Sequence, residues 1–289
     1  MNIRRINRIA GGQDGAIWGN YLFRFQANGT CFVYELDRLK ESAPDVLAPE
    51  FARFQLPEAP VPIPHSNAVM FGTEYYDPTD PFPLLYSNMY NNCAKQADPM
   101  KGVCCVYRLR MEGNVFSAIP VQLISIGFTE DPQLWCSSVD TPDVRPYGNF
   151  VIDRDKGLYY AFTMRDAANA TRYFSFRLPK LREGRPDPRF GIRRVELSTE
   201  DLISYFDCPY HHFIQGACFH KGRLYSLEGF TDSTENPPAL RIISPEAQSQ
   251  LQLTYFGDLG STVEPEWIDF SKDTCYYSDN HGNLYIIEF

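Results

Sequence analysis

The segment Ile3-Arg4-Arg5-Ile6-Asn7-Arg8-Ile9 decides how this chain of 289 residues closes on itself. Its isoleucines, arginines and asparagine give it the same apolar and basic character as the later stretch Ile192–Leu197. At the other end of the sequence, Leu284–Phe289 is an apolar strand with no further strand after it. We therefore expect the N-terminal segment to pair with Leu284–Phe289 and to supply a strand that is missing there.

One arrangement occurs five times between these two ends: a polar entry, a short apolar strand, a turn and an aromatic strand. The entries begin at Gln13, His65, Tyr147, Ile214 and Glu264. A third strand follows in every unit. A fourth strand with alternating polar and apolar residues follows only in the first four units, as expected for an exposed outer strand. These fourth strands are predicted at Ala52–Leu56, Val121–Ile124, Arg193–Leu197 and Leu251–Thr254.

A ring of sheets in which the N-terminal strand completes the last sheet leaves no open edge at the closure. The sequence thus predicts an all-β fold, a five-bladed β-propeller, as a single domain over residues 1–289. The blades are expected at residues 13–57, 64–126, 147–197, 212–257 and 263–289, the last together with residues 1–10. The pattern resembles five-bladed β-propellers over the whole chain, at the level of architecture. A β-sandwich is the alternative, but it would not require the fivefold entry.

Helices are expected to be few and short. Ser198 is a suitable N-cap, and the acidic residues Glu200 and Asp201 follow it, so a helix is predicted from Ser198 to about Phe206. A second short helix is predicted at Asp131–Ser137. Both lie in connections between blades.

The composition excludes several classes of function. Twenty-seven basic and 36 acidic residues give a formal net charge of −9, which argues against a nucleic-acid surface. No apolar run is long enough to span a membrane, and no apolar segment follows the N-terminal arginines as in a secretory signal. The eight cysteines contain no C-x-x-C pair and several lie in apolar runs, so we expect reduced, buried thiols in a cytoplasmic protein.

Polar residues gather where the propeller brings its loops together. The innermost strand of each blade begins at one face, and the turn after the second strand returns to that face. The residues expected at this channel mouth are Asp14, His65, Asn67, Arg145, Tyr147, Asn149, Arg165, His211, Gln215, Glu228, Glu264, Glu266 and Asp279. They predict a ligand pocket. The alternative is that such residues cap backbone groups or bind channel water.

Hydrolysis of a carbohydrate-like molecule is the first functional hypothesis. Glycoside hydrolysis needs two carboxyl groups, one of which keeps a proton near neutral pH. The pattern is similar to that of five-bladed glycosidases, and this resemblance implies Asp14 as the base. Glu228 or Glu266 would then donate the proton. His65 is the further catalytic candidate, and the ligand-binding candidates are His211, Gln215, Arg165, Arg145, Tyr147, Glu264 and Asp279.

The chain departs from that family at two entries. Blades 2 and 3 have Ser66-Asn67 and Gly148-Asn149 where the glycosidases would be expected to have another carboxylate. This departure puts the glycosidase chemistry in doubt and leads to two other hypotheses.

A divalent cation at the channel mouth is the second hypothesis. Glu266, Asn67 and Asn149 offer the hard oxygen ligands that suit calcium, and nearby histidines would favour zinc or manganese instead. The set resembles that of lactonase-type propellers, which hold calcium with Glu, Asn and Asp but have six blades. That resemblance implies a metal-polarised ester or lactone carbonyl, with His65 or His211 moving protons.

A non-catalytic binding module is the third hypothesis. It would recognise a small anionic or sugar-like ligand, or a partner protein. Arg145 and Arg165 suit this role because guanidinium groups bind carboxylates and phosphates through two parallel hydrogen bonds.

Overall fold

The computed structural model of the protein describes residues 1–40, 43–89, 100, 102–126, 149–163, 171–208 and 214–289. In these residues the chain forms five small sheets with strands numbered β1 to β22 in chain order. The sheets form the ring of a five-bladed β-propeller, so the fold predicted from the sequence is confirmed.

Each blade runs from an innermost strand near the axis to an outer strand. Blade 1 contains β2 (Gly15–Trp18), β3 (Tyr21–Phe25), β4 (Thr30–Glu35) and β5 (Ala52–Gln55). Blade 2 begins with β6 (Val69–Phe71), β7 (Leu85–Asn88), β8 (Val103–Glu112) and β9 (Val115–Ile126). Blade 3 contains β10 (Phe150–Asp153), β11 (Leu158–Thr163), β12 (Thr171–Arg177) and β15 (Leu202–Cys208).

Blade 4 contains β16 (Ile214–His220), β17 (Arg223–Glu228), β18 (Ala239–Ser244) and β19 (Ser249–Tyr255). Blade 5 contains β20 (Pro265–Ser271), β21 (Thr274–Asp279), β22 (Asn283–Glu288) and β1 (Asn2–Arg8). The helical segments in the described residues are α1 (Leu36–Lys40) and two 3₁₀ turns, Thr199–Asp201 and Phe256–Leu259. None of these helices is long and apolar enough to cross a bilayer.

The predicted closure is present. Strand β1 pairs antiparallel with β22, from Asn2 opposite Glu288 to Arg8 opposite Asn283. At the end of this pair the Ile9 amide donates to the Gly282 carbonyl at 2.8 Å. Gly282 has a φ of +76°, and a Cβ there would stand 2.1 Å from the Ile9 carbonyl oxygen. Glycine is therefore required where the two chain ends meet.

The innermost strands β2, β6, β10, β16 and β20 form the wall of the channel, and each contacts the next around the ring, including β20 with β2. Side chains tie some of these neighbours together. Asp269 Oδ2 accepts the Ile17 amide at 2.8 Å. The Ile152 amide lies 3.2 Å from Met70 Sδ. Such contacts satisfy backbone groups that the free edge of an innermost strand would leave unpaired.

Apolar side chains fill the spaces between the blades. Between blades 1 and 2, the Phe23 ring packs edge-on against Phe71 and Phe82, both at 5.3 Å between ring centroids. The free cysteines of the described residues are all buried, as expected: Cys31, Cys104, Cys105, Cys208, Cys218 and Cys275.

The prediction for the fourth strand of blade 3 was wrong. Arg193–Leu197 is β14, and it pairs in parallel with β9 of blade 2, with the two-residue strand β13 (Arg185–Pro186) beyond it. Arg194 fixes this placement because its guanidinium donates to Ser125 Oγ and to Asp187 Oδ2, both at 2.6 Å. The alternating pattern thus predicted a strand correctly but not the sheet that it joins.

The true fourth strand of blade 3 is β15, which lies in the segment predicted as a helix. The N-cap signal at Ser198 is real, since Ser198 and Asp201 form a capping box. It supports only the 3₁₀ turn, because the following residues include Ile203, Tyr205 and Phe206, which favour strands. Blade 3 therefore continues to Cys208 and does not end at residue 197. The helix predicted at Asp131–Ser137 lies outside the described residues.

Candidate functional site

A buried arginine lies between blades 1 and 5, close to the start of their innermost strands. Arg24 on β3 is fully buried, and its guanidinium donates to the carbonyls of Gln13 and Gly11 and to Ser278 Oγ. It also lies over the Trp267 ring, 5.6 Å from the centroid. None of these acceptors is a carboxylate. Burial lowers the pKa of Arg24, and the nearby charge of Glu266 opposes that shift.

Glu266 is the candidate proton donor. It is the second residue of β20 and only 6 % exposed, yet within the described residues its carboxyl group makes no hydrogen bond or ion pair. Burial raises the pKa of Glu266 to about 8, and the charges of Glu264 and Asp279 add to the shift. Arg24 opposes it without cancelling it. A pKa of about 8 favours the protonated form of the Glu266 carboxyl at neutral pH.

Glu264, two residues earlier, has a different environment. It is half-buried, its Oε1 accepts from Gln215 Nε2 at 2.5 Å, and its Oε2 accepts from Asn280 Nδ2 at 3.0 Å. Burial raises the pKa of Glu264, whereas the Asn280 hydrogen bond opposes that rise. Two amide donors favour the charged form of Glu264, and Glu266 has none. Such an environmental difference is typical of carboxyl pairs that divide the acid and base roles.

Asp14, the predicted base, contributes to the joint between blades 1 and 2. It is 1 % exposed, and its Oδ2 accepts the Val69 amide at 2.7 Å. Its own amide donates to the Ser66 carbonyl at 3.1 Å. Burial raises the pKa of Asp14 well above the usual range, despite the Val69 hydrogen bond. One of its oxygens is thus committed to the fold.

Asp279, a predicted ligand contact, organises the turn after β21. Its Oδ1 accepts the amides of His281 and Asn283, at 3.0 and 2.9 Å. Its Oδ2 accepts from Asn283 Nδ2 at 2.7 Å and from the Tyr285 hydroxyl at 3.3 Å. Both oxygens of this buried carboxylate are used within blade 5.

Glu228, the other predicted acid, is held in a buried ion pair. Its Oε1 accepts from Arg241 at 2.7 Å, and both side chains are buried. The charges of Glu228 and Arg241 both act on the pKa of the buried Tyr173 hydroxyl in blade 3. This ion pair therefore lies between blades 3 and 4. Glu228 is not among the charges that shift the pKa of Glu266. The structure therefore brings Glu264, Glu266 and Gln215 together, and it engages the Glu228 carboxyl in the ion pair with Arg241.

Three asparagines line the start of the innermost strands on the side of blades 2 and 3. Asn88, at the end of β7, donates from Nδ2 to Asn67 Oδ1 and to Asn149 Oδ1, the latter at 3.0 Å. Asn67 and Asn149 were predicted to bind a metal with Glu266. The structure joins the two asparagines, but no contact of the described residues joins either of them to Glu266.

His65 is half-buried and precedes Ser66, which is fully buried and has a φ of +62°.

Within the described ranges, no group of three or more His, Cys, Asp and Glu side chains is placed to hold a metal ion. Calcium, zinc or manganese binding stays a prediction. Four predicted ligand-binding residues lie outside the described residues: Arg145, Tyr147, Arg165 and His211.

Sequence reasoning missed Arg24, Asn280 and Arg241. Arg24 does carry a signal, because it is a charge within the aromatic strand Tyr21–Phe25, where a solvated arginine is not expected. Arg241 interrupts the apolar strand β18 in the same way. Asn280 has no such signal, since asparagine after a strand is ordinary turn composition.

Comparison with known proteins finds no matching family model and no matching curated sequence. Among solved structures, the chain is similar to Myxococcus xanthus glutaminyl cyclase, with 9 % identity, a TM-score of 0.50, and coverage of 100 % of this chain and 96 % of that one. Moraxella catarrhalis BamB has 10 % identity and a TM-score of 0.34, with 95 % and 71 % covered. The Cps50 (Swd1) β-propeller domain of Myceliophteria thermophila has 9 % identity and a TM-score of 0.44, with 96 % and 82 % covered. At these identities the similarity concerns the fold alone.

Proposed function

We propose that the protein binds a small carbohydrate-like molecule at the channel mouth and hydrolyses it, with Glu266 as the proton donor. One observation carries this proposal. Glu266 is almost fully buried on an innermost strand, and no donor or cation of the described residues contacts its carboxyl group. A carboxyl group that is this buried and has no donor to stabilise its charged form keeps its proton near neutral pH, which a general acid requires.

The carboxyl pair supplies the two roles that glycoside hydrolysis requires. Glu266 gives its proton to the leaving-group oxygen as the bond from that oxygen to the sugar carbon breaks. Glu264 accepts a proton from the water whose oxygen attacks the same carbon. Gln215 and Asn280 hold Glu264 in place through its two oxygens. Glu264 replaces Asp14 in the proposed pair because Glu264 is half-buried, whereas Asp14 is 1 % exposed and accepts the Val69 amide in the joint between blades 1 and 2.

The test compares turnover with binding. Purified protein is assayed with aryl glycosides and oligosaccharides, and with aryl esters and lactones as the competing substrate class. Glu266→Gln keeps the size of the side chain but cannot give up a proton from a carboxyl, so we expect turnover to fall by about 10²–10⁴-fold with unchanged substrate affinity. Glu246→Gln is the matched control, since Glu246 is exposed on the surface.

Turnover that survives Glu266→Gln would contradict the proposal. An inactive wild type that binds a sugar with the same affinity as Glu266→Gln would contradict the catalytic role and favour the non-catalytic binding module. Activity confined to lactones and lost on chelation would favour the metal-dependent alternative.

A further inference from the structure

The asparagines of blades 2 and 3 form a network whose orientation follows from one backbone group. The Ala68 amide donates to Asn88 Oδ1 at 3.1 Å. A backbone N–H can only donate, so the side-chain atom that faces it must be the amide oxygen. The other terminal atom of Asn88 is therefore the nitrogen. Asn88 is fully buried and has no freedom to reverse this arrangement without losing that hydrogen bond.

The orientation of Asn88 fixes its two neighbours. Asn88 Nδ2 can only donate, so the atoms that it meets on Asn67 and Asn149 must be oxygens. The Nδ2 groups of Asn67 and Asn149 remain. Neither of these groups donates a hydrogen bond within the described residues. Asn149 is only 5 % exposed, and no acceptor in the described part of the chain contacts its Nδ2 group.

This arrangement favours a ligand of the opposite charge to the cation expected from the sequence. A calcium site uses amide oxygens, but the oxygens of Asn67 and Asn149 already accept from Asn88. The groups that remain carry partial positive charge and suit an oxygen acceptor. A hydroxyl group would also need an acceptor for its own proton, whereas a carboxylate accepts only. The N–H donors that remain on Asn67 and Asn149 thus fit a carboxylate better than a cation or a hydroxyl.

We propose that Asn67 and Asn149 bind the carboxylate of an acidic ligand, such as a sugar acid, through their Nδ2 groups. The inference rests on the proposed function in that the carboxylate would belong to the molecule on which Glu266 acts. Asn88 is a positioning residue in this site: it does not touch the ligand but binds the oxygens of both amides, which leaves their nitrogens available.

The test follows the NMR signals of the asparagine side-chain amides. Uniformly ¹⁵N-labelled protein is titrated separately with sodium acetate, D-glucose and calcium chloride, and the Asn149 side-chain amide is assigned from its loss in Asn149→Asp. We expect acetate to shift this amide in a saturable way, while glucose and calcium leave it unchanged. Sodium chloride at equal ionic strength controls for salt.

The substitution Asn149→Asp sharpens the test because it keeps an oxygen for Asn88 and replaces the donor with an acceptor. We expect it to abolish the acetate response of Asn67 and leave the fold intact. Asn28→Asp is the matched control, since Asn28 lies in an exposed hairpin and the new carboxylate still accepts the Thr30 amide.

The inference is overturned if acetate causes no saturable shift, if calcium or glucose shifts Asn149 instead, or if Asn149→Asp responds to acetate as the wild type does. These outcomes are independent of the proposed catalysis. Turnover that depends on Glu266 with no acetate response would refute only the carboxylate site. An acetate response in a protein without turnover would refute only the hydrolase.

Discussion

Asp14 and Glu266 are acids at the start of innermost strands, one on the side of blade 1 and one on the side of blade 5. Both are buried, at 1 % and 6 % exposure, and burial raises the pKa of both. They differ in their partners. Asp14 accepts the Val69 amide of the next blade, whereas the carboxyl of Glu266 contacts no donor of the described residues.

Burial alone therefore does not identify a reactive carboxyl. In Asp14 a backbone donor compensates part of the desolvation cost, and the result is a joint between blades. In Glu266 no hydrogen-bond donor of the described residues does so, and only the charge of Arg24 opposes the effect of burial. The result is a proton that the fold does not use. Glu228 extends the comparison to the other extreme, because it is paired with a buried arginine.

The largest effect is expected at that pair. Arg241→Met fills a similar volume but leaves the Glu228 carboxylate buried without its guanidinium partner. We expect the free energy of unfolding to fall by about 3–5 kcal/mol, measured by urea denaturation. Arg53→Met is the matched control: the Arg53–Glu50 pair is much more exposed, and its loss should cost at most about 1 kcal/mol. Equal losses in the two variants would show that burial does not set the value of these pairs.

A smaller effect is expected at Asp14. Asp14→Ala removes the acceptor and leaves the Val69 amide unsatisfied inside the ring, which should cost about 1–3 kcal/mol. Asp14→Asn keeps an oxygen for that amide and should cost less. Glu266→Gln removes no hydrogen bond of the described residues and should not lower stability at neutral pH. A greater loss for Glu266→Gln than for Asp14→Ala would reverse the proposed assignment of the two acids.

Much of the fold was predictable because its signals are local and repeated. The entry positions mark where the innermost strands begin, and the unpaired fifth unit identifies the partner of Ile3–Ile9. The failure at Arg193–Leu197 has a nonlocal cause. Alternation shows that a segment forms a strand, but the choice of sheet depends on contacts such as that of Arg194 with Ser125, which lies 69 residues earlier in the sequence.

The sequence predicts candidate positions for the site, but it does not predict the contacts that those side chains make. The strand starts predict Asp14, Glu264, Glu266 and Gln215 at the channel end of the blades. Which acid would be left without a donor depends on contacts such as Val69 with Asp14, and no spacing in the sequence reports them. The orientation of the asparagines depends in the same way on a single backbone amide, that of Ala68.

The protonation of Glu266 also links its chemistry to stability. The pKa of Glu266 is 4.5 without the environment of the folded protein and about 8 within it. The folded state therefore binds a proton that the unfolded state has released between these values. The stability that depends on this proton is complete below pH 4.5 and is lost as the pH rises from there through about 8. The wild type should become less stable relative to Glu266→Gln over that interval.

The most direct measurement is the titration of the Glu266 carboxyl carbon by ¹³C NMR, with Glu266→Gln used to assign the signal. We predict that the Glu266 carboxyl is neutral at neutral pH and ionises with a midpoint near 8. A carboxyl that is already ionised at neutral pH, with a midpoint close to the ordinary glutamate value of about 4.3, would contradict it.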